Sequence, residues 1–180
     1  MISRITTKEL FALSAKELAQ TRSLNRISVK EIAQNCGMTT TTFYQYFQDK
    51  YSLYEFILLN LIDPYFEEYQ RDHDLMHLIT QILSAVDSNR SFHLNAIHNT
   101  YGPNEFLLSA NKAFYKKFTE VLLCPASAPN EDLRFFAYFY ALSFSSACTD
   151  FVLNDERIDP GRLARKLFEA MPQPLKRLHE

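Results

Sequence analysis

The stretch from Ser28 to Leu53, SVKEIAQNCGMTTTTFYQYFQDKYSL, restricts the fold more than any other part of the chain. Ser28 and Glu31 have the form of a capping box, in which the serine hydroxyl satisfies an orphan helix N–H and the glutamate reaches back to the cap. A helix therefore starts here. Val29, Ile32, Ala33 and Cys36 follow at i, i+3, i+4 and i+7, an apolar stripe along one face. Gly37 stops it, because glycine enters the left-handed conformation past a helix end without steric cost. Met38 turns inward, one of the four threonines caps a second short helix, and Phe43 and Phe47 at i, i+4 face back toward the first.

Two short helices joined by a tight glycine turn make a helix-turn-helix, whose second helix lies in the DNA major groove. On that helix Thr41, Tyr44, Gln45 and Gln48 fall on the side away from Phe43 and Phe47, with Thr40 and Thr42 near its start. This outward face is uncharged and rich in hydrogen-bonding groups, which suits base edges and phosphates. Asp49 caps a following helix, with Lys50 at its start and Leu53 pointing to the core.

Three glycines and seven prolines in 180 residues, 47% hydrophobic content and no sustained strand alternation predict an all-α fold. The expected division is an N-terminal three-helix DNA-binding domain, residues 1–48, and a C-terminal helical ligand-binding and dimerisation domain, residues 49–180. A first helix over 5–22 backs the motif. Residues 1–50 carry a balance of plus 3 and residues 51–180 minus 5, so the basic end holds the helix-turn-helix. Arg22 and Arg26 flank its entry as candidate phosphate partners. Pro64 should kink or end the helix that begins after Asp49.

Further helices are expected over 74–87, 91–100, 104–123, 131–153 and 162–171, with a polar tail after Pro172 and Pro174. The helix over 131–153 is apolar nearly all round and must be covered on every side. One side is expected to meet a second copy, with Tyr140, Phe144 and Phe151, and Leu163, Leu167 and Phe168 of the last helix, as candidates for a four-helix dimer interface. His77, His93, His98, Tyr101, Asn111, Tyr115 and Tyr138 bring polar tips into an apolar setting, the composition of a small-molecule pocket.

Other chemistry finds little support. His73 and His77 have a metal-compatible i, i+4 spacing, but the glutamate of a zinc-protease motif is missing between them, and a solvated helix end is the expected state. No metal site, cofactor or enzyme activity is expected, since no phosphate loop, nucleophile elbow or paired-cysteine motif occurs. Cys36, Cys124 and Cys148 are widely spaced in apolar sequence and are expected as reduced, buried thiols of a cytoplasmic protein. MISRITTKEL has no apolar signal core. The most apolar uncharged run, Phe135 to Thr149, is shorter than a membrane span, so a buried helix is expected there.

The segment from Ile27 to Leu53 resembles the DNA-binding domain of the tetracycline-repressor (TetR) family. The resemblance rests on Ala-x-x-Cys-Gly-Met into the turn, Thr-Thr-Phe-Tyr-x-Tyr-Phe in the second helix and Asp-Lys-x-x-Leu opening the next. The closing Asp-Lys-Tyr-x-Leu, the Asn-Arg-Ser-Phe stretch and the Gly-x-x-x-Phe of residues 102–106 are similar to the branch that includes activators of dihydroxyacetone kinase operons. The resemblance implies base-edge contacts from Thr40, Thr41, Thr42 and Gln45, phosphate contacts from Tyr44, Tyr46 and Lys50, and backbone donors at Ser28 and Thr39. It also implies an operator in double-stranded DNA and an effector, of unknown identity, bound among the central helices. Unlike many relatives, this recognition helix has no Arg or Lys, which shifts affinity to flanking cations. Two other readings stay open: a coregulator acting through a protein partner, and a small-molecule-binding helical protein whose DNA-binding head is incidental.

Overall fold

The computed structural model describes residues 5–98, 106–154 and 157–179, and every regular element among them is helical. In chain order these are α1 (Thr7–Ala19), α2 (Val29–Asn35), α3 (Thr40–Tyr46), α4 (Lys50–Asp72), α5 (Leu75–Ser88), α6 (Arg90–His98), α7 (Phe106–Leu123), α8 (Glu131–Leu153), α9 (Pro160–Glu169) and α10 (Gln173–Lys176). A 3-10 turn at Leu24–Arg26 lies between α1 and α2. The helix starts are set locally. Thr6, Ser28, Thr39, Asp74, Asn130 and Asp159 each accept a hydrogen bond from a backbone N–H in the first turn of α1, α2, α3, α5, α8 and α9. Each such cap contributes about 1 kcal/mol.

The helices divide into two compact units, Met1–Leu58 with Ser91–Ala110, and Leu59–Arg90 with Asn111–Glu180. The first unit is therefore larger than the segment 1–48. Its core gathers Phe11, Leu24, Ile27, Ile32, Phe43, Leu53 and Tyr54, all fully or almost fully buried, with Phe92 and Ala96 of α6 completing it. Phe11 meets the edge of Phe43 at 5.2 Å, and Phe43 lies 5.5 Å from Phe47, so the aromatic spacing of α3 is the packing of α3 onto α1. Each fully buried side chain of this size stabilises the fold by about 1.5–3 kcal/mol.

The second unit is built on aromatic rings. Phe118 of α7 lies 4.8 Å from Phe144 of α8, and Phe114 stacks at 5.4 Å on Phe118 and 5.8 Å on Phe144. α5 presents Leu78, Ile79, Ile82 and Leu83 inward and packs against α9. Tyr140 ties α8 to α9 by donating to the Leu167 carbonyl at 2.6 Å. Arg90 donates to the Phe151 and Asn154 carbonyls, satisfying the end of α8.

Three expectations change. Of the kink or end expected at Pro64, the end does not occur, since α4 runs on to Asp72. Buried Ile62 and Phe66 and the ion pair of Asp63 with Lys117 flank the proline and hold the helix against its cost of about 3 kcal/mol. The tail is docked and not merely polar: Met171 and Leu175 are buried, and His179 lies 3.0 Å from the Leu122 carbonyl. Finally, α8 as a whole, at 23 residues, is long and apolar enough to cross a membrane, although its uncharged run is shorter. Its Ala137, Tyr140, Ala141, Phe144, Phe151 and Val152 face is buried within the protein, while Phe135, Tyr138, Phe139 and Leu153 face outward.

Candidate nucleic-acid interface

The interface is assembled from α1, α2 and α3. Ser28 and Glu31 close the capping box at the start of α2. Gly37 adopts φ 72°, and its N–H bonds the Gln34 carbonyl while the N–H of Met38 bonds that of Ala33. This pair of bonds is the Schellman ending, which requires a left-handed residue where only glycine is free of strain. Ser14 of α1 donates to the Ile32 carbonyl at 2.7 Å and accepts from Asn35 at 3.2 Å, fixing α2 against α1. Thr39 then caps α3 by accepting from Thr42 N–H at 3.0 Å.

With Phe43 and Phe47 buried, the opposite face of α3 is open. Thr40, Thr41, Gln45 and Gln48 are exposed, and Tyr44 and Tyr46 keep 59% and 43% of their surface accessible, unusual for tyrosine in a packed domain. Thr42 is half-buried, its hydroxyl 2.9 Å from that of Thr39, so it is turned toward the cap and not outward.

Two of the cations flanking this face, Arg22 and Lys50, are committed within the fold. Arg22 pairs with Glu31 at 2.7 Å and donates to the Arg26 carbonyl at 3.0 Å. The Arg22 hydrogen bond, with those from Ser28, brings the Glu31 carboxyl down to about 2. Lys50, expected on phosphate, instead donates to the carbonyls of Leu24, Asn25 and Ile27 at 3.2, 2.9 and 3.0 Å. An ammonium has three protons, and these carbonyls take all of them. Partial burial lowers its pKa, with the nearby Glu31 charge working the other way. Arg26 and Lys30 are exposed. Asn95 of α6, which no sequence signal singled out, donates to the Ala19 and Arg22 carbonyls at 2.9 and 2.8 Å and accepts from Leu24 N–H at 3.0 Å.

The expected pocket residues are distributed over both units. His93 and His98 belong to the first unit, His77, Asn111, Tyr115 and Tyr138 to the second, and Tyr101 lies outside the described residues. His98 is exposed. His93 has a buried Nε2 without a partner, and burial, then the charge of Lys16, pushes its pKa down to about 4. Asn111 accepts from Ser145 at 3.2 Å. Tyr115 and Tyr138 do come together, lining an open groove of about 420 Å³ between α7 and α8 with Lys112, Lys116, Thr119 and Arg134.

The expected dimer residues divide as well. Tyr140, Phe144 and Phe151 are 5%, 1% and 4% exposed and point into their own protomer, where the Phe114 and Phe118 rings pack on Tyr140 and Phe144 and the Arg90 guanidinium lies over the Phe151 ring. Leu163, Leu167 and Phe168 are half-buried. The outward apolar face of α8 carries Phe135, Tyr138, Phe139 and Leu153. All three cysteines are free; Cys124 is exposed and not buried, while burial of the Cys148 thiol pushes it up to about 12.

A helix-turn-helix in the first unit, with an all-helical second unit, defines the class of helical DNA-binding transcriptional regulators. Residues 13–57 match the model of bacterial regulatory proteins of the tetR family, and residues 73–173 match a transcriptional regulator C-terminal region. The chain belongs to the TetR family. A curated relative, the HTH-type dhaKLM operon transcriptional activator DhaS of Lactococcus lactis subsp. lactis, is 31% identical over 97 residues. That match covers 52% of this chain and spans half the length of the relative. Among solved structures, the dihydroxyacetone kinase operon activator DhaS superposes with a TM-score of 0.71 at 17% identity, covering 96% of this chain and 98% of that one. NalD of Pseudomonas aeruginosa, secondary repressor of a multidrug efflux pump, gives 0.67 at 19% identity over 95% of both chains. A tetR-family regulator from Streptomyces coelicolor gives 0.61 at 19% identity over 96% of this chain and 86% of that one. The families matched are transcriptional regulators and not enzymes.

Proposed function

We propose that the protein is a homodimeric transcriptional regulator that reads a near-palindromic operator and releases or engages it in response to a small-molecule effector. The observation that carries this reading is the outward face of α3, where Thr40, Thr41, Gln45 and Tyr44 are exposed on a helix whose other side is locked by Phe43 and Phe47. The Gln45 amide suits an adenine edge, and the threonines offer a hydroxyl and a methyl suited to thymine. Tyr44 and Tyr46 hydroxyls, with backbone donors at the starts of α2 and α3 beside Ser28 and Thr39, suit phosphates. Lys50 acts here as a positioning residue, and Arg26 and Lys30 supply charge in its place. The reading unit is the head over residues 1–48, presented by the helical body over 49–180.

Dimerisation is assigned to the outward apolar face of α8, Phe135, Tyr138, Phe139 and Leu153, together with Leu163, Leu167 and Phe168 of α9. Two heads so joined would meet successive major grooves about 34 Å apart. The Tyr115–Tyr138 groove supports effector control, and its Lys112, Lys116 and Arg134, set against the single acidic Glu120, favour an anionic effector. Selection of genomic fragments by gel shift tests the operator reading. A duplex retained well above random DNA at physiological salt is expected; retention no better than random DNA defeats it.

A further inference from the structure

Glu68 and Asp72 stand one turn apart in the last two turns of α4, and His77 lies in the first turn of α5. One donor atom from each lies within 4.8 Å of the other two, and His77 Nε2 is 3.6 Å from Glu68 Oε1. His73, the sequence neighbour that shares a metal-like spacing with His77, is not part of this cluster. Its left-handed φ of 56° carries its ring edge-on to Tyr69 at 5.6 Å. The partner that the sequence did not suggest is Glu68.

The electrostatics of the place point independently to a cation. Two carboxylates at i, i+4 repel each other, and both stand at the negative end of the α4 dipole. Asp74 adds a third carboxylate, held as the cap of α5 by the His77 N–H at 2.8 Å, while Asp72 accepts from Asp74 N–H at 3.0 Å. The cap fixes the His77 backbone. The Gln81 amide group lies 3.2 Å from His77 Nε2, and a half-turn of that amide presents its oxygen to the same space.

We propose that Glu68, Asp72 and His77 form a site for a divalent transition-metal ion that ties the end of α4 to the start of α5. One imidazole with two carboxylates suits Zn²⁺, Co²⁺ or Ni²⁺ better than Mg²⁺ or Ca²⁺, which take oxygen donors. Metal–ligand distances of about 2.0–2.2 Å require the three side chains to close by less than about 1 Å. Three protein donors leave positions for water or the Gln81 oxygen.

The test is titration of the untagged full-length protein with Co²⁺, followed by visible absorption and by displacement with Zn²⁺. One Co²⁺ per chain is expected, with ligand-field bands, and Zn²⁺ should raise the thermal midpoint by binding the native state. Loss of an outer-shell group costs metal sites about 10–100-fold, so His77→Ala and Glu68→Gln, which remove ligands, should weaken binding by more than about 100-fold. His73→Ala and His93→Phe should leave it unchanged. All four side chains except His93 are at the surface, and circular dichroism confirms that each variant is folded; Asp72→Asn replaces any ligand variant that is not. Absence of stoichiometric binding, or binding that survives loss of His77 or Glu68, overturns the proposal, as does equal loss in His73→Ala.

Discussion

The Lys50 ammonium donates to the Ile27 carbonyl at 3.0 Å across 23 residues of sequence, and its other two protons go to Leu24 and Asn25. The 3-10 turn before α2 thus ends on a lysine from α4. Lys50→Gln should destabilise the protein by about 1–3 kcal/mol, the scale of lost charged hydrogen bonds, read from urea unfolding. It should leave the salt dependence of DNA binding unchanged. A lysine on a phosphate contributes about 0.9 to the slope of log K against log salt. A drop of that size in the variant would return Lys50 to the DNA contacts.

Asn95 holds the same connector from the other side, bonding Ala19, Arg22 and Leu24 through both ends of its amide. Asn95→Leu removes all three bonds and leaves two partly buried backbone groups, Leu24 N–H and the Ala19 carbonyl, and the exposed Arg22 carbonyl without this partner. A loss of about 2–4 kcal/mol is expected by denaturant titration, at roughly 1 kcal/mol per bond plus desolvation. Asn95→Asp keeps the acceptor and loses the donors, so it should fall between. A change below about 0.5 kcal/mol in Asn95→Leu would place Asn95 among ordinary surface positions.

What could be read from the sequence was what depends on near neighbours. The Ser28–Glu31 box, the Gly37 turn and the Phe43–Phe47 spacing each act within one or two helical turns, and each appears in the structure as written. What was missed acts at long range. Nothing in Ser-Phe-His-Leu-Asn-Ala announces that Asn95 reaches Leu24, 71 residues earlier. Nor does periodicity say which side of an all-round apolar helix turns inward. Phe135 and Phe139 have the same chemistry as Phe144 and Phe151, yet the first pair is more than half exposed and the second buried. The rings of Phe114 and Phe118 cover Phe144 and the Arg90 guanidinium covers Phe151, and those partners come from other helices. The lysine beginning α4 was legible as a cation but not in its target, because three carbonyls competing with phosphate appear only once the chain is folded.

His93 gives stability a dependence on acidity. Its folded pKa of about 4 lies below the ordinary 6.5, because the charged ring is disfavoured by burial and by Lys16. Between these values the unfolded chain binds more protons, so stability rises with pH. The neutral-ring contribution is fully present above pH 6.5 and is lost as pH falls through about 4. Its size is up to about 3 kcal/mol. His93→Phe should flatten the stability profile over this window relative to the parent protein, measured by urea titration at several pH values. Parallel profiles would mean that the ring reaches solvent.

Gln45 is the residue assigned to discriminate sequence. Its amide is exposed on α3 and contributes nothing to the core, so Gln45→Ala should leave unfolding within about 0.5 kcal/mol of the parent. Against the selected operator it should cost about 1–3 kcal/mol while non-specific binding is retained, relaxing preference at one base pair in each half-site. Competition gel shifts with single-base operator variants read this directly. Uniform weakening on all sequences would make Gln45 a backbone contact, and no effect would favour a role through a protein partner.

Phe139 tests the pairing of two heads. It stacks at 6.1 Å on Phe135, both rings are more than half exposed, and Tyr138 and Leu153 extend the same outward surface of α8. Covering such a surface with its own copy stabilises a dimer at about 25 cal/mol for each Å² of apolar area removed from water. Phe139→Glu introduces two charges into a symmetric contact, one from each copy, while touching no buried ring of its own protomer core. The variant should keep its helicity, sediment at the monomer mass where the parent sediments as a dimer, and lose most of its affinity for a two-half-site operator. It should bind a single half-site as well as the parent does. A parent that is itself monomeric at micromolar concentration, or a variant that remains dimeric, would move the interface away from this face of α8.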